Sequence, residues 1–254
     1  PNLGENHPLG TLKRPSGCFS HDLTEVKKHT RNSSQQRCTN LKKLRLSHVH
    51  LNNSLDKFER LNYLYLSNCT WNTISTTFGQ LTYLFLNNNV GPELPFFPKL
   101  RTFIRYKTGD SYHVPYKNLI SLYINSNITA ECTRLENLYL HNVVTINGVV
   151  GVPNTFVKLR KLLIHIDKSI VLPATLVNLH YIYIFGNNIG TIIIPSYPKL
   201  QQLILKTNQN LVVNGSYTKL VDITASPKHL IALGVISLIR HNRNDVLNCA
   251  PNTI

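Results

Sequence analysis

Ten times along this chain a start of the form L-x-x-L-x-L returns. It reads LKKLRL from Leu41, LNYLYL from Leu61, LTYLFL from Leu81, LISLYI from Leu119, LENLYL from Leu135, LRKLLI from Leu159, LHYIYI from Leu179 and LQQLIL from Leu200. Degenerate copies, LRTFIR and LVDITA, begin at Leu100 and Leu220. Successive starts lie 20, 20, 19, 19, 16, 24, 20, 21 and 20 residues apart. A fixed period of this size means stacked units, each too small to bury its own apolar face. With the starting Leu as position 0, apolar residues at +3 and +5 alternate with outward ones, the period of a half-buried strand. Stacking places those strands in parallel, about 4.8 Å apart.

Position +8 holds Cys69, Asn89, Thr108, Asn127, Asp167, Asn187 and Asn208, while Val49, Val143 and Lys228 break the column. The combined pattern, L-x-x-L-x-L-x-x-N/C, resembles the leucine-rich repeat. The resemblance implies an α/β-type or mostly β solenoid, a horseshoe whose parallel sheet lines the concave face. It also implies that the +8 side chain satisfies backbone groups at the bend, with Cys69 structural and inert. The segments between strands are short and marked by Pro and Gly (Gly91-Pro92, Pro115, Pro153, Pro173, Pro195), which predicts extended or 3-10 returns on the convex side. The 24-residue unit carries an insertion around Asn147-Gly148, and Arg105 stands where an inward Leu belongs, which predicts a bulge or register shift.

This divides the chain into an N-terminal cap (1–40), a solenoid (41–225) and a C-terminal cap or degenerate last repeat (226–254). Within the first cap, Ser20 to His29 suits a short helix with Ser20 at its N-cap. Cys18 and Cys38 are compatible with a disulfide, as in secreted members of the superfamily, or with unpaired side chains. With His21 and His29 they also form a Cys₂His₂ set, but its spacing matches no standard zinc pattern, so no metal is assigned.

The outward columns carry the most informative signal. Seven of the twelve Tyr fall at +2 and +4: Tyr63, Tyr83 and Tyr181, and Tyr65, Tyr123, Tyr139 and Tyr183. Phe85 joins the +4 column, and the +6 column is a looser polar mix that includes His141, His165 and Phe185. A strand face that only meets water has no need of such residues, and Tyr offers large contact area at modest entropic cost. Tyr63, Tyr65, Tyr83 and Phe85 are expected to form one cluster, and Tyr181, Tyr183 and Phe185 another.

Lys and Arg number 27 against 12 acids, a net charge of +15. Part of it is phase-locked: Arg60, Lys99, Arg134, Lys158, Lys199 and Lys219 all stand at −1, a basic edge facing solvent or an anionic partner.

No catalytic spacing is present: no G-x-x-x-x-G-K-[ST], H-E-x-x-H, G-x-S-x-G or C-x-x-C. The expectation is a non-enzymatic module, without cofactor, that binds a protein through its aromatic concave face. The alternative is a structural component of a virion or other large assembly whose basic edge meets anionic partners, nucleic acid among them. No apolar run reaches the roughly 18–20 residues of a membrane span. Sequons occur at Asn32, Asn52, Asn68, Asn127 and Asn214, and Pro1 suits a chain that has lost its initiator Met. In a chain this rich in Asn, Ser and Thr several sequons arise by chance, and an intracellular or virion-associated protein is expected over a secreted one.

Overall fold

The computed structural model describes residues 40–51, 58–72, 78–92, 94–107, 111–141, 145–147, 149–165, 168–186, 190–207, 210–214, 217–226 and 228–229. In chain order the strands are β1 (Lys43–Ser47), β2 (His50–Leu51), β3 (Tyr63–Ser67), β4 (Thr70–Trp71), β5 (Tyr83–Asn87), β6 (Thr102–Tyr106), β7 (Tyr112–Val114), β8 (Ser121–Ile124), β9 (Ile128–Ala130) and β10 (Asn137–Leu140). They continue with β11 (Thr145–Ile146), β12 (Val149–Val150), β13 (Lys161–His165), β14 (Ile170–Val171), β15 (Tyr181–Gly186), β16 (Thr191–Pro195), β17 (Gln202–Thr207), β18 (Asn210–Asn214) and β19 (Asp222–Thr224). The repeats fold as a mostly β, parallel solenoid. Its main sheet has ten strands in the order β1-β3-β5-β6-β8-β10-β13-β15-β17-β19.

Pairing is in phase from repeat to repeat. Leu64 stands beside Leu44 and Leu84, and Leu66 beside Leu46 and Leu86, so the +3 and +5 residues form continuous inward columns. Leu61, Leu64, Leu66, Leu81, Leu84, Leu100, Phe103, Leu119 and Leu122 are wholly buried. Each such side chain contributes about 1.5–3 kcal/mol relative to an exposed one. The interior is completed from −3 by Phe78, Phe97, Tyr116, Phe156, Leu176 and Tyr197.

Hydrogen bonds explain how the chain enters and leaves each strand. In nine repeats the N–H of the starting Leu donates to the −3 carbonyl, from Leu61 to Phe58 through Leu220 to Tyr217, at 2.9–3.4 Å. That closes a β-turn whose tip is formed by −2 and −1, so those residues face water and most are polar or turn-forming, Val157 and Val177 at −2 being the exceptions. The +1 carbonyl then accepts two N–H groups of the next repeat. Lys42 O takes Asn62 N and Tyr63 N at 2.9 and 3.1 Å, and eight further +1 carbonyls, Asn62 to Gln201, do the same. At +7, His48, Asn68 and Asn88 turn the chain out of the strand with φ of 58°, 51° and 53°. Asn and His are among the residues that tolerate this left-handed region best.

At the next position Asn89 secures the bend. Its Oδ1 accepts the N–H of Cys69 at 2.7 Å, and its Nδ2 donates to Leu66 O at 3.0 Å. Cys69 is itself buried and unbridged, with its Sγ 3.4 Å from Ser67 O.

The register does not shift at Arg105, contrary to the expectation drawn from its charge: Leu86, Arg105 and Ile124 pair in sequence across β5, β6 and β8. The aliphatic stem takes the slot of a Leu, as long basic side chains can. The guanidinium carbon lies 4.0 Å from the centre of the Tyr112 ring, and Arg105 is only 8% exposed.

The returns are extended and add small sheets of their own: β2-β4, β14-β16-β18 and β12-β11-β9-β7. The insertion in the 24-residue unit is an antiparallel hairpin of β11 and β12, turned at Asn147 with φ of 52°. Among the described residues no helix is long and apolar enough to cross a membrane. Residues 1–39 of the expected N-terminal cap, with the Ser20–His29 segment, Cys18 and Cys38, lie outside the described residues. So does the C-terminal run beyond His229.

Candidate partner-binding face

The outward face of the ten-stranded sheet is built by the same register that builds the core. Tyr63 pairs with Tyr83 and Tyr65 with Phe85 on adjacent strands. Parallel strands about 4.8 Å apart carry like side chains at a separation that suits ring stacking. The Tyr63 and Tyr83 rings stack at 4.4 Å with 8° between planes, and Tyr65 and Phe85 at 4.3 Å with 9°. Arg45 closes one end of this cluster. Its Nη2 donates to the Tyr63 hydroxyl at 3.2 Å, and its guanidinium carbon lies 5.4 and 5.7 Å from the Tyr63 and Tyr65 ring centres. At the other end Tyr106 meets Phe85 edge-on at 5.8 Å.

A second cluster follows. Tyr123 and Tyr139 lie 5.9 Å apart, and Tyr183 stacks on Phe185 at 5.1 Å. Tyr139 and Phe185 come within 6.4 Å although β13 runs between their strands. His141 and His165 are at 4.8 Å from each other, and His165 is 4.8 Å from Phe185. Tyr181 lies apart at +2, in register with Lys161 and Gln202, and joins no ring contact among the described residues. The +4 residues form the floor of this half: Tyr139, Leu163 and Tyr183 are 5%, 6% and 7% exposed. Tyr63, Tyr65, Tyr83, Phe85, Tyr123 and Tyr181 are only partly covered.

The +6 column therefore holds more than a polar mix. Tyr106, His141, His165 and Phe185 extend both clusters, and ring-bearing residues at +6 in successive repeats were the available signal. Arg45, the end clamp, left no such mark.

Burial raises the phenols on this face. It pushes Tyr106 up to about 12, helped by Tyr139 and Tyr123. Tyr83 rises further, through burial and then the neighbouring Tyr63. Tyr123, Tyr139, Tyr181 and Tyr183 are raised by burial first. These hydroxyls stay protonated and able to donate throughout the neutral range.

The basic residues expected at the edge, Arg60, Lys99, Arg134, Lys158, Lys199 and Lys219, are all exposed at β-turn tips. At the end of β5 and β6 a cleft of about 430 Å³ opens, lined by Trp71, Arg105, Lys107 and Tyr112 among others. Among the described residues no group of three His, Cys, Asp or Glu side chains is placed to hold a metal ion. No family model matches the chain, and no curated protein matches it.

Proposed function

We propose that the chain is a non-enzymatic recognition module of the leucine-rich-repeat type, which holds a protein partner against its aromatic sheet face. In this reading the ten strands line the concave wall of a horseshoe. The single observation that carries it is the pair of aromatic clusters on the water-facing columns, where packing of the core requires none. The approach of Tyr139 to Phe185 across an intervening strand fits a face that curves inward. Partly exposed Tyr rings have the properties of interface anchors: rigid area, an apolar body and a polar tip. Truncating one such anchor at the centre of an interface costs ~2 kcal/mol or more. The exposed cluster around Tyr65 and Phe85 is the expected centre of contact, with the more deeply set Tyr139 and Tyr183 as support.

The test is the double variant Tyr65→Ser/Phe85→Ser. Both side chains leave the inward columns untouched, so melting of the variant should remain cooperative and close to wild type. Partner capture, scored by cross-linking against the unmodified protein, should be lost. Retention of the same partners by the folded double variant would sink the reading.

A further inference from the structure

The turn tips carry a second surface. Reading down −1 through ten repeats gives Asn40, Arg60, Gln80, Lys99, Asn118, Arg134, Lys158, Asn178, Lys199 and Lys219. Six are cationic, four are neutral amides and none is acidic. Acids do occur within two positions, with Glu59 at −2 and Glu136 at +1, so their exclusion from −1 is selective.

The column is contiguous in space. Arg60 Nη1 donates to Asn40 Oδ1 at 2.8 Å, Lys99 Nζ to Gln80 Oε1 at 2.7 Å, and Lys199 Nζ to Asn178 Oδ1 at 2.6 Å. Each bond joins the −1 side chains of neighbouring repeats, and each acceptor is neutral, so the charge is held in place without being cancelled. Among the described residues the ion pairs are Lys117 with Glu131 and Arg160 with Glu136, and neither includes a −1 residue. Adjacent tips are about 4.8 Å apart, so the six cations spread along about 38 Å at intervals of about 5–10 Å. That interval is close to the screening length of about 8 Å at physiological salt, so their fields overlap into one positive line.

We infer that this line of turn tips is a binding surface for a linear sulfated polysaccharide. A row one residue wide matches a linear polyanion. The tip residues include no aromatic ring, and of the +2 tyrosines nearest to them Tyr63 and Tyr83 are stacked on each other, which leaves Tyr181 as a single unstacked ring, so a single-stranded nucleic acid would lack the run of stacking platforms that usually holds its bases. A polymer whose recognition rests on its anionic groups is the better match.

The experiment measures binding of a labelled heparin oligosaccharide to the full chain across a salt series. A stripe variant, Lys99→Gln/Lys158→Gln/Lys199→Gln, is compared with a charge-matched control, Lys43→Gln/Lys168→Gln/Lys206→Gln, whose lysines are exposed elsewhere. Wild type is expected to bind at physiological salt. The stripe variant should bind at least about tenfold more weakly, with the salt slope reduced by about three counterions, while the control stays within about twofold. Thermal melts confirm that each variant is folded. The Tyr65→Ser/Phe85→Ser variant should bind heparin as wild type does, which separates this surface from the aromatic face. Equal loss in both triple variants, tighter binding of poly(U) RNA than of heparin at the same salt, or no heparin binding by folded wild type would each overturn the inference.

Discussion

The amide of Asn89 bridges two repeats, taking the N–H of Cys69 at 2.7 Å and giving its own N–H to Leu66 O at 3.0 Å. Cys69 lies beyond the end of β3, where its N–H has no ladder position, whereas Leu66 is within the strand. An Asn89→Ala variant leaves the buried Cys69 N–H unmet and removes a second bond to Leu66 O, at a cost of about 1–3 kcal/mol. Urea unfolding should show the loss. Asn89→Asp should recover only part of it, since a carboxylate accepts but does not donate.

Gly91 is set by the indole of Trp71. A Cβ there would lie 2.3–2.6 Å from Trp71 ring atoms, while the indole N–H donates to Pro92 O at 3.2 Å. Gly91→Ala must therefore displace a side chain that is 6% exposed, at a cost of about 1–3 kcal/mol. Trp71 is the one Trp in the chain, so its fluorescence reports the site directly. A red shift in the folded variant is expected, and an unchanged emission maximum would refute the contact.

Alkaline pH should weaken the fold through its tyrosines. Tyr106 ionises near about 12 when folded, against an ordinary 10.0, because burial disfavours the phenolate. The unfolded chain therefore loses this proton first as pH rises. The stabilisation is complete below about pH 10 and disappears between there and about 12. Tyrosinate absorbance should appear later in native protein than in urea-unfolded protein, and denaturation midpoints should fall across that window. Coincident titration curves would contradict the burial of these rings.

Cys132 should be chemically silent. Burial first, and then Glu131, push its thiol up to about 12, and the side chain is 1% exposed. Only the thiolate is an efficient nucleophile. Alkylation at mildly alkaline pH, mapped by peptide mass spectrometry, should miss Cys132 and the equally buried Cys69 until denaturant is added.

The core was legible because a period of two inside a period of about twenty leaves little freedom. Leu44, Leu64 and Leu84 could only stack, and the register follows. The −1 position was visible too, as a basic column. The β-turn that explains it emerged only from the bond of Leu61 N to Phe58 O and its counterparts. Less legible were features decided by side-chain shape. Arg105 has the charge of a disruptive residue, but its stem has the dimensions of the missing Leu and Tyr112 receives its head. The short return sheets were hidden because Pro and Gly punctuate them, although Thr191–Pro195 pairs with Asn210–Asn214 as regularly as any main strand. On the aromatic face the columns and the cluster around Tyr65 and Phe85 were as expected, and the second cluster only in part. Tyr181, expected in a cluster, stands aside, whereas His141 and His165 enter one.

The paired acceptance by each +1 carbonyl has one more consequence. Lys42 serves Asn62 and Tyr63, Asn62 serves Thr82 and Tyr83, and so on, each of these carbonyls addressing the unit that follows. Such a chain can be lengthened or shortened by whole units without rewriting the remainder. The length of its sheet is thus a matter of copy number, open to change by duplication of a single stretch of coding sequence.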